Sequence, residues 1–89
     1  PVKVFEYMAC GKALITTDIG QISEIIQNGE TGVLTTPNDI NDVIENINHL
    51  IRDDKLRRKI GNKARMEIEK KHTWNIRGKQ LSDLCEKHV

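Results

Sequence analysis

The stretch ALITTDIGQISEIIQNGETGVLTT, residues 13–36, decides the fold class of this 89-residue chain. It holds two short runs of apolar and β-branched residues, 13–17 and 32–36, without polar alternation. Such runs are typical of strands that are covered on both faces, as in a parallel sheet. Residues 23–27, with the isoleucine before them, favour a short helix between the two runs. Strand, helix and strand predict a compact, right-handed βαβ crossover.

Helices are predicted on both sides of this crossover. Upstream, Val2, Phe5 and Ala9 share one helical stripe, and Gly11 follows where a helix end favours a positive φ angle. Downstream, apolar spacing predicts three helices. Their stripes are Ile40, Val43, Ile44, Ile47, Leu50 and Ile51, then Leu56, Ile60, Ala64 and Ile68, then Ile76, Leu81, Leu84 and Cys85, with Thr73 as the last N-cap. The predicted fold is therefore α/β, a partial Rossmann-like unit whose parallel βαβ crossover is followed by three helices.

The chain has few apolar and aromatic residues from which to build a hydrophobic core of its own. Apolar residues make up 37% of the chain and aromatic residues 3%, and a chain of this size buries only about 60% of the surface that its unfolded form exposes. Two strands do not make a self-sufficient sheet. We therefore interpret the chain as a fragment, and we expect the rest of its sheet to come from residues before Pro1 or from a second copy.

Charge and cysteine usage limit the partners and the location. Lys and Arg number 14 against 13 Asp and Glu, and this balance, with few stacking aromatics, argues against nucleic acid. Cys10 and Cys85 lie far apart without a CxxC pattern, which predicts free thiols in a reducing compartment. No run is long enough to span a bilayer, and no signal peptide is recognised. The expected location is the cytoplasm, or the inner face of the cell membrane as a peripheral protein.

The first thirteen residues, PVKVFEYMACGKA, resemble a signature of the group 1 (family 4) retaining glycosyltransferases, enzymes of the GT-B type with two Rossmann-like domains. The signature continues in residues 17–24 and 28–32, and Ala13 and Gln21 depart from the family's usual Pro and Gly. The further matches are Leu56-Arg57, Gly61, Ala64-Arg65 and Thr73-Trp74. The resemblance implies that residues 1–89 are the C-terminal portion of the nucleotide-sugar donor domain, without the acceptor domain and the first half of the donor domain.

The resemblance assigns nucleotide-sugar binding to Val2, Lys3 and Glu6. Glu6 matches the second Glu of a Glu-x7-Glu motif, whose carboxylate accepts hydrogen bonds from the ribose hydroxyls; the first Glu falls before Pro1. Val2 and Lys3 lie in the first turn of the same predicted helix, where free amides and the helix dipole suit a diphosphate. The alternatives stay open: a surface Glu6 paired with Lys3 at i,i+3 spacing, and a solvated Lys3.

The remaining candidates favour structural roles. Asp18 and Gly20 follow a strand at the edge where open α/β sheets bind ligands, and a plain turn explains them equally well. Glu24 is interpreted as an exposed or capping glutamate. The basic run between positions 52 and 71 is ordinarily a solvated helix face, with an anionic membrane or lipid acceptor as the alternative. The cysteines and histidines have no partners at catalytic spacing, and no set of residues has metal-ligand spacing; the histidines are His49, His72 and His88.

The function that follows from the resemblance is sugar transfer from a UDP- or GDP-sugar to a glycan or lipid acceptor, with no metal and no cofactor. None of the 89 residues is assigned a catalytic role, and no activity is expected of them alone. The alternative is a non-catalytic module that uses a helical face to dock or to self-associate.

Overall fold

A computed structural model of the chain describes residues 2–71 and 85–86. Its elements, in chain order, are α1 (Val2–Ala9), β1 (Ile15–Thr17), α2 (Ile22–Ile25), β2 (Val33–Thr35), α3 (Ile40–Arg52) and α4 (Asp54–Lys71). The two strands pair in parallel, with Ile15 opposite Val33 and Thr17 opposite Thr35. The predicted α/β class and its parallel crossover are confirmed. Two of the three predicted downstream helices are present as α3 and α4, and the third lies outside the described residues apart from Cys85 and Glu86, which are helical.

The strands are shorter than the apolar runs that predict them. Beyond the paired residues, single hydrogen bonds continue the ladder: the Val33 amide donates to the Leu14 carbonyl at 2.8 Å, and the Asp18 amide to the Thr35 carbonyl at 2.9 Å. The Thr35 hydroxyl, almost fully buried, donates to the Thr16 carbonyl at 3.4 Å. The Thr35 hydroxyl is therefore satisfied within the sheet, and the Leu34 amide of the same strand donates to the Asn28 side chain at 2.9 Å.

The sheet separates two hydrophobic clusters, because successive strand residues point to opposite faces. Leu14 and Leu34 pack on one face and Ile15 and Val33 on the other. The first cluster is built from Met8, Ala9, Ile26, Ala64 and Ile68, and the second from Val33, Leu50 and Ile60. Helix α4 contributes to both, which confirms that its residues at four-residue spacing form a core face.

Helix α1 ends in a Schellman motif. Gly11 has a φ angle of +70°, its amide donates to the Met8 carbonyl at 3.0 Å, and the Lys12 amide donates to the Tyr7 carbonyl at 3.1 Å. These two bonds satisfy carbonyls that the helix end leaves open, and a residue without a Cβ adopts this φ angle at low cost. The sequence-based prediction for Gly11 is confirmed.

Helix α3 is capped by acidic side chains at its start. The Asp42 amide donates to Asp39 Oδ1 at 3.1 Å, and the Thr36 amide donates to Asp42 Oδ2 at 2.7 Å. Asp39 is therefore a side-chain N-cap, and Asp42 ties the first turn of α3 back to the end of β2. These bonds fix the direction in which α3 leaves the sheet.

The apolar stripe of α3 is a core face only in part. Leu50 is 4% exposed, whereas four isoleucines of the same helix are open to solvent. Their exposed fractions are 69% for Ile40, 49% for Ile44, 41% for Ile47 and 67% for Ile51. A stripe of six residues is wider than the surface that a two-stranded sheet offers to it, so one edge of the stripe stays uncovered.

The prediction of free thiols is wrong. Cys10 and Cys85 form a disulfide, with their Cα atoms 5.5 Å apart and a separation of 75 positions in sequence. The sequence pattern missed this pair because only the packing of the chain brings two such distant residues together. The expectation of a reducing compartment thereby loses the support that it drew from the cysteines.

Candidate functional site

The amino end of α1 carries the residues to which the sequence assigned ligand binding. The helix begins at Val2, so the amides of Val2 and Lys3 belong to the first turn, whose N–H groups have no intrahelical acceptor. No acidic residue stands in that turn. The positive end of the helix dipole is therefore not offset by a carboxylate in its own first turn, as an anion site requires.

Glu6 stands one turn further along α1, next to Lys3. Lys3 Nζ lies 3.6 Å from Glu6 Oε2, and the two side chains are 67% and 22% exposed. The ion pair that the sequence offered as the structural alternative is therefore present. A pair of this length with one exposed partner adds little stability, and it keeps a positive charge beside the Glu6 carboxylate. The structure thus brings Lys3 and Glu6 together on one helix.

The carboxyl end of α1 is held in place by the rest of the chain. The Cys10 amide donates to the Glu6 carbonyl at 3.1 Å, and the Cys10 side chain is bonded to Cys85. On the same side, α4 brings Gly61 against Gly11, backbone to backbone. Glu6 is therefore one turn from a point where α1 is fixed by a covalent bond and by close packing.

A shallow cavity of about 320 Å³ opens at the carboxyl ends of β1 and β2, the edge at which open α/β sheets bind ligands. Its lining residues are Thr17, Thr36, Asn38, Asp39, Ile40 and Val43. Asp18 and Gly20, which the sequence places at this edge, are exposed in the segment after β1, and Gly20 has a φ angle of +61°.

Sequence reasoning missed the residues after β2 that line this cavity. Residues 37–39 lead into a helix, because Asp39 caps α3. Asn38 has a φ angle of 59°, in the left-handed region that Asn tolerates better than most residues. That conformation turns the chain from β2 into α3 and sets the rim of the cavity.

Four of the eight basic residues of α4 contact other groups of the chain. Arg57 donates to the Leu50 carbonyl at 2.8 Å and pairs with Asp54. The other contacts are Arg58 with Asp54 at 3.0 Å, Lys63 with Glu30 at 3.9 Å and Arg65 with Glu69 at 3.1 Å. These pairs favour the ordinary interpretation of a solvated helix face over an anion-binding surface.

The remaining candidates from the sequence are exposed, make a structural hydrogen bond, or lie outside the described residues. Glu24 and His49 are exposed, and Asn28 Oδ1 accepts from the Leu34 amide at 2.9 Å. His72, Trp74 and His88 lie outside the described residues. Within residues 2–71 and 85–86, no three His, Cys, Asp or Glu side chains form a group that could hold a metal ion. None of the helices described is both long enough and apolar enough to cross a bilayer.

Comparison with known proteins finds relatives of similar sequence. The chain is 38% identical over 65 residues to N-acetyl-alpha-D-glucosaminyl L-malate synthase of Bacillus anthracis, a match that covers 73% of the chain and 17% of that protein. It is 32% identical over 79 residues to the capsular polysaccharide biosynthesis glycosyltransferase CapM of Staphylococcus aureus, covering 89% of the chain and 21% of the relative. The chain thus spans about a fifth of the length of these relatives.

A solved structure has the same fold. Sucrose-phosphate synthase from Thermosynechococcus elongatus matches with a TM-score of 0.78 and 25% identity, over 99% of this chain and 22% of that one. The family model "Glycosyl transferases group 1" matches residues 1–67, which include α1, the crossover and most of α4. The chain belongs to the group 1 glycosyltransferase family.

Proposed function

We propose that this chain is part of the donor-binding domain of a retaining, family 4 enzyme of the GT-B type. The enzyme transfers a sugar from a UDP- or GDP-sugar to a glycan or lipid acceptor. The observation that carries the proposal is the arrangement on α1, where the first-turn amides, Lys3 and the Glu6 carboxylate follow one another within two turns. The relatives named above, an N-acetyl-alpha-D-glucosaminyl L-malate synthase and a capsular polysaccharide biosynthesis glycosyltransferase, support sugar transfer as the reaction class.

The proposed roles follow from the chemistry of the three residues. The amides of Val2 and Lys3 bind the diphosphate, because N–H groups at a helix amino end point at an anion placed there. Glu6 accepts hydrogen bonds from the ribose hydroxyls, and a charged acceptor makes the stronger bond. As the sugar leaves, negative charge grows on the diphosphate, and Lys3 with the helix end stabilises that charge. The proposed mechanism uses no metal and no cofactor.

The transfer reaction needs more than these 89 residues. Since the chain spans about a fifth of its relatives, we propose that acceptor binding and the catalytic groups lie in other parts of a longer protein. The isolated chain is expected to show no sugar transfer from UDP-glucose or GDP-mannose to any acceptor above the blank. Measurable sugar transfer by the purified 89 residues would contradict the proposal that the acceptor site and the catalytic groups lie elsewhere in a longer protein.

The proposed location is the cytoplasm, with peripheral contact at the inner membrane face when the acceptor is a lipid. The disulfide between Cys10 and Cys85 allows this location to be tested, because cytoplasmic thiols are normally kept reduced. Rapid alkylation of intact cells, followed by mass spectrometry of the Cys10 and Cys85 peptides, measures their redox state in place. Co-sedimentation with anionic vesicles tests the membrane contact, for which the ion pairs on α4 predict weak binding.

A calorimetric titration of the full-length protein with UDP and with GDP tests the donor site. We expect one of the two nucleotides, UDP or GDP, to bind. Glu6→Ala should weaken the affinity for that nucleotide about 10- to 100-fold, which is the effect of losing a hydrogen bond to a charged group. Glu45→Ala is the matched control, since it removes an exposed carboxylate from α3. Equal affinity of the Glu6→Ala and Glu45→Ala proteins would remove Glu6 from the site.

One observation favours the alternative of an interaction module. The four exposed isoleucines belong to α3 and the proposed donor residues to α1, so this surface and the donor site can exist in the same protein. Self-association through α3 is therefore a separate property, and its absence or presence does not decide the enzymatic proposal.

A further inference from the structure

The turn between α2 and β2 contains the one Asn-Gly pair of the sequence, Asn28-Gly29. Both residues are exposed, and Gly29 has a φ angle of +82°. In an Asn-Gly pair the backbone nitrogen of the glycine can attack the side-chain amide carbon of the asparagine, because a glycine has no Cβ to hinder the approach. The hydrogen bonds around the pair therefore decide whether this reaction starts in the folded protein.

The fold holds both of the groups that must react. The Gly29 amide donates to the Gly32 carbonyl at 2.8 Å, and Asn28 Oδ1 accepts from the Leu34 amide at 2.9 Å. Asn28 and Gly32 also form a parallel β-bridge. For ring closure the Gly29 nitrogen must give up its bonded proton, and the Asn28 side chain must rotate away from β2. Both hydrogen bonds break in that movement.

Further hydrogen bonds close the same turn from the α2 side. The Gln27 amide donates to Thr31 Oγ1 at 2.9 Å. The Gln27 carbonyl accepts from the Glu30 amide at 3.0 Å and from the Thr31 amide at 3.1 Å. Thr31 is only 5% exposed. The Asn-Gly pair therefore lies within a turn whose two ends are both tied, and it is released when that turn opens.

From this arrangement we infer that Asn28 is a deamidation site that the fold protects, and that its reaction rate is set by the opening of residues 27–34. In the open turn the Gly29 nitrogen loses its proton and bonds to Asn28 Cγ, while the side-chain nitrogen takes up a proton and leaves as ammonia. Water then opens the resulting succinimide at one of its two carbonyl carbons. The products are aspartate and isoaspartate at position 28.

The two products affect the fold differently. Aspartate leaves the backbone unchanged and keeps a side-chain oxygen that accepts from the Leu34 amide. Isoaspartate carries the main chain through the former side-chain carbon, which adds one backbone atom after position 28. The register of the bridge to Gly32 and of the bond to Leu34 is then lost, directly before the buried strand residues Val33 and Thr35. Isoaspartate therefore prevents the turn from closing again onto β2.

Peptide mapping by mass spectrometry tests the protection. The full-length protein is aged in mildly alkaline buffer, in the native state and unfolded in urea. We expect residue 28 to deamidate about 10- to 100-fold more slowly in the native state, because two hydrogen bonds must break before the ring can close. Asn62, exposed on α4 and followed by Lys63, is the internal control and should react far more slowly than Asn28 in urea. Equal rates for Asn28 in the two states, or a faster rate in the native state, would overturn the inference.

A variant of the turn tests its opening. Thr31→Val keeps the shape of the side chain but removes the oxygen that accepts from the Gln27 amide. It should raise the native rate at Asn28 by about three- to tenfold and leave the rate in urea unchanged. Thr36→Val is the matched control, since Thr36 is exposed beyond β2. Native rates that are the same in the two variants would show that the turn does not control the reaction.

Limited proteolysis of the aged protein tests the difference between the products. After return to native buffer, copies with aspartate at position 28 should resist cleavage as the unmodified protein does. Copies with isoaspartate should be enriched among the molecules cut between α2 and β2. Chromatography of the peptides separates the two products, which have the same mass. Equal resistance of both products would contradict the loss of register at the Asn28–Gly32 bridge.

Discussion

At the level of single residues, the contact between Gly11 and Gly61 explains why two distant glycines are needed. A Cβ added at Gly61 would lie 2.9 Å from the carbonyl carbon of Gly11 and closer still to its oxygen. Gly11 itself sits at a φ angle of +70°, where a side chain is strained. Both glycines belong to the motifs that resemble the family, and the structure gives their role as packing α4 against the end of α1.

Replacing Gly61 by Ala should destabilise the protein although it favours the helix. Alanine improves helix propensity by about 1 kcal/mol, but the overpacked contact forces α1 and α4 apart, and such changes cost about 1–3 kcal/mol. We expect a lower free energy of unfolding in urea for Gly61→Ala. Asn62→Ala, an exposed neighbour on the same helix, should be neutral or slightly stabilising. Equal stability of the two variants would contradict the close contact.

At the level of elements, α3 and α4 are joined through the single residue Asp53. Its amide donates to the His49 carbonyl at 3.0 Å and so ends α3. Its Oδ1 accepts from the Leu56 amide at 3.0 Å and so caps α4, while Arg57 donates to the Leu50 carbonyl. One residue thus satisfies the ends of two helices and fixes the angle between them.

Asp53→Ala should therefore loosen both helices. We expect a loss of about 0.5–2 kcal/mol in the free energy of unfolding, the usual cost of removing an N-cap. Asp53→Asn keeps an oxygen acceptor and should lose only a small part of this. Thermal unfolding followed by circular dichroism separates the two, and an Asn variant as unstable as the Ala variant would show that the cap is not the cause.

At the level of the whole molecule, the disulfide ties the end of α1 to residues 85–86 near the other end of the chain. The bond closes a loop of 75 residues. In the chain-entropy model a loop of that size restricts the unfolded state by roughly 4 kcal/mol. For a small chain with a two-stranded sheet, this contribution is a large share of the stability.

Reduction should lower the midpoint of urea unfolding by an amount that corresponds to a few kcal/mol, with roughly 4 kcal/mol as the upper bound. A variant with both Cys10→Ser and Cys85→Ser should match the reduced protein and should not respond to dithiothreitol. Mass spectrometry after alkylation verifies the state of the two thiols. Identical midpoints for the oxidised and reduced proteins would show that the bond does not restrain the unfolded chain.

The donor-site residues could be placed on one helix from the sequence because their relation is local. Lys3 and Glu6 are three positions apart, so any helix over residues 2–9 puts them on neighbouring turns. The cavity at the sheet edge was not foreseen in its details, since Thr17 and Thr36 meet there only after the two strands have paired.

Local spacing alone determined the order of elements, the parallel crossover, the turn at Gly11 and the buried stripe of α4. These features depend on periodicity and on the conformational preferences of single residues, which are present in the unfolded chain. Tertiary structure alone decided the pairing of Cys10 with Cys85, the contact of Gly61 with Gly11 and the exposure of the α3 isoleucines. Those features depend on which surfaces meet when the helices pack. An apolar stripe indicates that a helix face can be buried, but it does not indicate which surface will cover that face.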